Sequence, residues 1–159
     1  MSEKTGKFVK VFGSGPIGVF VSLILFFVAY WINRQINIPP ITGNRFILNS
    51  VFLISCLVTI GMIIWCLKSL PVGERGKKLC TYGAFKYFRH PLYAAFLSVF
   101  NFGLSFYLNS YVFVLWAIIL HPVWHFIVRY EEKLMVNIFK EDYTEYQKKT
   151  GRFFPRLIR

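Results

Sequence analysis

The sequence predicts an all-α integral membrane protein of about four transmembrane helices with amphipathic helices at its C-terminal end, and three observations carry that prediction. Of 159 residues, 55% are hydrophobic and only 16% charged, against about 25% charged in soluble domains. Mean hydropathy is +0.49. Four apolar stretches, at 17–32, 46–67, 92–108 and 111–128, approach or exceed the roughly 20 residues needed to cross a hydrocarbon core at about 1.5 Å per residue. The second is ample; the first and third are near the lower limit. The net charge of +12 would suit nucleic acid only if the basic residues shared a face, and here lipid-length apolar runs separate them, so no nucleic acid is expected. Cys56, Cys66 and Cys80 are an odd number with two inside an apolar run, which suggests neither a disulfide framework nor a tetrahedral zinc site.

The first span follows Lys4, Lys7 and Lys10. A secretory signal is the alternative reading, but no small-residue cleavage site comes before Tyr30 and Trp31. Spans one and two are nearly free of titratable groups and read as a membrane scaffold over residues 1–70, joined through an extended Pro39-Pro40 turn. Sorting Lys and Arg by segment puts seventeen on one side of the membrane and only Arg34 and Arg45 on the other. This asymmetry predicts a multi-pass protein with both termini cytoplasmic. All seven acidic residues fall on the basic side, so the polar chemistry gathers at one membrane face.

Residues 71–159 form the second part of what is expected to be one integrated domain. Pro71, Gly73, Gly76 and Gly83 punctuate a basic loop leading to Arg89-His90-Pro91-Leu92-Tyr93. Proline suits a first helical turn, so Pro91 is expected to start span three with His90 at its entrance. A helix start presents free N–H groups and partial positive charge, a seat for a carboxylate. The Asn109-Ser110 turn then makes spans three and four an antiparallel hairpin. His121, His125, Arg129 and Glu132 follow at steps of four, four and three, along one helical stripe that should face a polar cavity, with Pro122 able to kink the helix there. The histidines could instead be neutral and satisfied by neighbours, or part of a metal site whose third ligand is not obvious. Beyond Glu132, Met135, Phe139, Tyr143 and Tyr146 recur at helical spacing, predicting an amphipathic helix or helix pair broken near Lys140. Gly151 should stop it, leaving Arg152, Arg156 and Arg159 as a basic tail for anionic lipid.

Several of these segments become specific in combination. Gly83-Ala84-Phe85, Arg89-His90-Pro91-Leu92-Tyr93, the hairpin, Arg129-Tyr130-Glu131-Glu132-Lys133-Leu134, then residues 139–146 and Arg152-Phe153-Phe154-Pro155 resemble, in order, the C-terminal signature of membrane-embedded methyltransferases. That group comprises the isoprenylcysteine carboxyl methyltransferases and the related phospholipid methyltransferases. The resemblance runs from about Leu79 to Pro155 and implies a pocket for S-adenosyl-L-methionine. It implies cofactor contacts from Lys77, Lys78, Leu79, Cys80, Phe85, His90, Pro91, Leu92, Tyr93, Glu131 and, from the phospholipid branch, Glu132. The chain has Phe85 where tyrosine is usual, Lys140 where glycine is usual, and Ile127 where the isoprenylcysteine enzymes place an arginine for the substrate carboxylate; Arg129 stands two residues on.

The activity so implied is methyl transfer to a membrane-borne lipophilic acceptor, most like isoprenylcysteine carboxyl methylation, with phospholipid amine methylation as the alternative. Arg129 is the candidate to hold an acceptor carboxylate. An ammonium acceptor must lose a proton, for which His125 or a glutamate is the candidate base. Substrate, a prenylcysteine or a lipid, would enter laterally from the bilayer. Two other readings compete: a membrane reductase using NADPH, similar in its C-terminal helices, and a non-catalytic adaptor that binds anionic lipid.

Overall fold

The computed structural model describes residues 13–74 and 77–156, so Lys4, Lys7, Lys10, Arg75 and Arg159 of the charge pattern lie outside the described residues. The described chain is helical, with one isolated bridge between Phe88 and Gly151 and no strand. Helix α1 (Gly15–Gln35) opens with Pro16 in its first turn. Helix α2 (Arg45–Ser69) is capped by Asn44, whose side chain accepts from the N–H groups of Phe46 and Ile47 at 3.0 and 3.3 Å, satisfying donors that a helix start otherwise leaves orphaned. Two short 3₁₀ turns, Val72–Glu74 and Gly83–Lys86, follow. Helix α3 (Pro91–Tyr107) widens into a π turn at Phe96–Phe100. Helix α4 (Tyr111–Lys149) is capped by Ser110 and interrupted at Lys140, whose φ of 48° and ψ of −120° leave the helical region. The break expected near Lys140 is therefore present, and the helix continues through Pro122.

Helices α1, α2 and α4 are long and apolar enough to cross a membrane, making this an all-α integral membrane protein. The third stretch differs from a full span. Bounded by Pro91 and the Asn109 turn, α3 has 17 residues, about 25 Å against a hydrocarbon core of about 30 Å. Its far end is fixed: the Asn109 side chain exchanges hydrogen bonds with the Thr42 backbone at 3.1 and 3.0 Å, and the Ser110 hydroxyl donates to Asn33 at 2.5 Å. The α1–α2 loop and the hairpin turn thus meet at one end of the bundle, opposite the Arg89–His90 segment and the two glutamates.

The core runs along α4, where Phe113, Trp116, Ala117, Leu120, Trp124 and Val128 are buried against Ala29 of α1 and Ala94 and Leu97 of α3. The outward faces of α1 and α2 stay apolar, with Phe20, Phe27, Phe46 and Leu57 exposed, which fits a lipid surround rather than water. Helix α1 approaches α4 closely at Gly18, where an added Cβ would lie 2.4 Å from the Trp124 ring. That indole is pinned by its hydrogen bond to the Ser22 hydroxyl at 2.8 Å. Gly18→Ala should therefore lower stability by about 1–3 kcal/mol through overpacking. Gly61→Ala on α2, which meets nothing within 4 Å, should be neutral or stabilising; thermal unfolding of both variants in detergent checks the contrast.

Candidate cofactor site at the basic end of the bundle

The site starts from the three residues that open α3. Pro91 occupies the first helical turn and His90 precedes it as the cap residue, as the sequence predicts. The returning C-terminal tail fixes this entrance: Arg89 N–H donates to the Gly151 carbonyl at 2.8 Å and His90 N–H to the Arg152 carbonyl at 3.2 Å. Gly151 tolerates no side chain, because a Cβ would sit 1.9 Å from the Phe154 carbonyl oxygen. His90 is buried, its ring nearly parallel to Tyr93 at 5.5 Å. Tyr146 clamps the preceding turn from α4, donating its hydroxyl to the Phe85 carbonyl at 2.6 Å.

Two adjacent glutamates of α4 complete the cluster, and successive helical residues diverge by about 100° around the axis. Glu132 is buried and turns toward the tail and loop. Its Oε1 lies 3.0 Å from Arg152 Nε, 3.1 Å from Arg89 Nε and 3.4 Å from His90 Nε2, and Arg152 also binds Oε2. Glu131 turns the other way. Its Oε2 accepts from Ser14 N–H at 3.2 Å, the Ser14 hydroxyl at 2.9 Å and the Tyr93 hydroxyl at 3.2 Å, while Oε1 lies 3.8 Å from His90 Nδ1. His90 therefore stands between the two carboxylates.

Burial by itself would push the Glu132 carboxyl up, but hydrogen bonds from His90 and Arg152 and the nearby Arg89 charge outweigh it and hold the group at about 2. Burial pushes Arg89 down, opposed by Glu132. A carboxylate held below its ordinary range stabilises the fold above about pH 4.5, and that contribution is lost as pH falls toward 2. The melting temperature of the wild type should accordingly drop between pH 4.5 and 2.5. Glu132→Gln should melt lower at neutral pH and show a shallower fall over that window.

The stripe of α4 faces two cavities that share Arg152 as a wall. One, of about 540 Å³, is lined by His121, Pro122, His125, Phe126, Arg152, Phe153 and Phe154. The other, of about 400 Å³, is lined by Arg129, Glu132, Lys133, Val136, Asn137, Gln147 and Arg152. The stripe therefore does not face the single polar cavity expected from its spacing: Arg129 and Glu132 border the polar one, whereas His121 and His125 border one walled mainly by Pro122, Phe126, Phe153 and Phe154.

A family model for phospholipid methyltransferases matches residues 41–142. The chain belongs to the phospholipid methyltransferase family. No curated protein matches it. The matched region of this membrane methyltransferase holds α2, α3 and most of α4, and so includes His90, Glu131 and Glu132. Ser14 and Arg152, which bind those two carboxylates, lie outside it.

Among the residues expected to form the methyltransferase cofactor site, His90, Pro91, Tyr93, Glu131 and Glu132 come together. Leu92 is half-buried in the same helical turn. Phe85 stands in the turn before them, its backbone carbonyl accepting from the Tyr146 hydroxyl. Cys80 is buried under the loop, its thiol donating to the Ser69 carbonyl at 3.5 Å. Lys77 and Lys78 are exposed, Lys78 paired with Glu74, and Leu79 is half-buried. Of the candidate catalytic residues, His125 is exposed on the larger cavity. Arg129 is exposed on the smaller, its guanidinium 6.0 Å from the Phe126 ring centre. The expectation that Arg152 is part of a lipid-facing tail needs correction, because Glu132 draws it inward. Ser14, Arg89 and Arg152 were missed as site residues; the only local signal was the Gly13-Ser14-Gly15-Pro16 helix start and the charge of the two arginines.

Proposed function

We propose that this methyltransferase uses S-adenosyl-L-methionine to methylate a lipophilic acceptor held in the membrane, at the end of the bundle where its basic loops gather. The observation that carries the reading is the convergence of His90, Glu131 and Glu132, with Arg89 and Arg152, at the start of α3 within an apolar helical bundle. The donor set fits the cofactor's polar groups. His90 caps α3 without a side-chain hydrogen bond to it, which leaves the N–H groups of that first turn for a carboxylate. Glu131 is suited to an ammonium or to ribose hydroxyls.

When bound, S-adenosyl-L-methionine supplies an electrophilic methyl group, so the protein needs to position, desolvate and, for some acceptors, deprotonate. His90 and Glu131 would hold and orient the donor. Phe126, Phe153 and Phe154 give the larger cavity apolar walls, a bed for the acceptor's hydrocarbon chain that excludes water. For a carboxylate acceptor such as a prenylcysteine no base is needed, and Arg129 would hold the charge. A second reading, phospholipid amine methylation, is equally consistent with the family match, and the exposed His125 at the cavity wall would take the ammonium proton. The charge asymmetry supports a multi-pass arrangement with both termini and this active end in the cytoplasm, where anionic lipid would be attracted. Incubating the protein with methyl-labelled donor and membrane lipids tests this: label in base-labile esters supports the carboxylate acceptor, label in base-stable amines supports the second reading, and no transfer to any lipid counts against both.

A further inference from the structure

We infer that Gly13-Ser14-Gly15, at the start of α1, is a clasp that positions Glu131 for the donor, and that Ser14 is a positioning residue of the methyl-transfer site. The inference rests on the proposed function for what Glu131 binds, and on the following geometry for the clasp itself.

A serine at a helix start ordinarily turns its hydroxyl back to accept from its own helix. Ser14 occupies the cap position of α1, yet its side chain makes no capping hydrogen bond. Instead the hydroxyl donates to Glu131 Oε2 at 2.9 Å, across 117 residues of sequence, and the Ser14 N–H donates to the same oxygen at 3.2 Å. Ser14 itself is buried. Gly13 depends on lacking a side chain, and Gly15 stands close against its neighbour. Gly13 has φ of +58°, and a Cβ there would lie 2.6–2.9 Å from all three atoms of the Glu131 carboxylate group, so both conformation and space require glycine. A Cβ at Gly15 would come within 3.3 Å of the Tyr93 hydroxyl, which is the third donor to Oε2 at 3.2 Å.

The consequence is a division of labour between the two carboxylate oxygens. Three donors saturate Oε2 and fix the side chain's rotamer. Oε1 is left turned toward His90, with Nδ1 at 3.8 Å, beyond hydrogen-bond distance. A donor molecule bound against His90 and Glu131 then meets a carboxylate that is already oriented and has lost its conformational freedom in advance. The first span, which reads in the sequence as scaffold, thereby contributes to cofactor affinity.

The test measures donor affinity by calorimetry on the full chain in detergent, together with the donor KM and kcat. Ser14→Ala should weaken S-adenosyl-L-methionine binding about tenfold, the effect of losing a hydrogen bond to a charged group, with the loss falling on the donor KM rather than on kcat. Ser14→Thr, which keeps the hydroxyl, should restore binding to within about threefold. Melting temperatures of Ser14→Ala, Glu131→Ala and the double variant should be non-additive, because the singles remove the same contact. Wild-type binding with an unchanged Ser14→Ala affinity overturns the clasp and leaves the methyl-transfer reading standing. A folded wild type that binds no donor overturns that reading and the role of Ser14 with it, even if the melting temperatures show the contact.

Discussion

Glu132→Ala is expected to lose the folded arrangement of the basic end and, with it, all methyl transfer. Arg89, His90 and Arg152 come from the loop before α3 and from the C-terminal tail, and Glu132 is the carboxylate that gathers them. Removing it leaves two guanidinium groups, about seven-eighths buried, facing each other without a counter-ion. Breaking such a pair from one side costs about 3–5 kcal/mol, far more than the net value of the pair. The variant should melt at a markedly lower temperature in detergent, and the tail beyond Lys149 should become sensitive to protease. Exposed pairs give the control: Glu74→Ala and Glu145→Ala, whose partners Lys78 and Lys148 are open to solvent, should melt with the wild type. A Glu132→Ala protein that melts with those controls would show that Glu132 does not anchor the tail.

Glu131→Ala and His90→Ala should lose donor binding without losing the fold. Each removes charge-assisted hydrogen bonds worth about 1.5–3 kcal/mol, or about 10- to 100-fold in affinity. Glu131 is only partly buried and the bundle core on α4 lies above it, so its loss should move the melting temperature far less than that of Glu132. The measurement is the rise in melting temperature on adding S-adenosyl-L-methionine, which should be clear for the wild type and much reduced in both variants. A full ligand-induced shift in both would mean that the donor binds elsewhere.

Much of this arrangement could be read in the sequence because local chemistry imposes it. Pro91 can start a helix but not continue one, so His90 had to stand at an entrance. The spacing of His121, His125, Arg129 and Glu132 fixes a common face whatever surrounds it, and Asn109 tolerates the positive φ its turn adopts. Periodicity also predicted helix through residues 135–146, either unbroken or as a pair divided near Lys140, and the interruption lies at Lys140. What local chemistry could not supply was the identity of partners distant in sequence. Ser14 and Glu131 are separated by 117 residues and Arg152 and Glu132 by 20. Nothing in the spacing of either pair distinguishes a buried counter-ion from a solvated charge. Arg152 reads as lipid-facing because the tail is basic, and it turns inward because a buried carboxylate without a counter-ion would be costly. The third span reads as marginal from its length, and α3 does have only 17 residues between Pro91 and Tyr107.

Calorimetric titration of S-adenosyl-L-methionine into the folded wild-type protein in detergent is the most direct measurement of the site. One saturable binding site per chain is the predicted result. A protein that keeps its cooperative thermal transition yet shows no binding would contradict the assignment of His90 and Glu131 to a methyl donor.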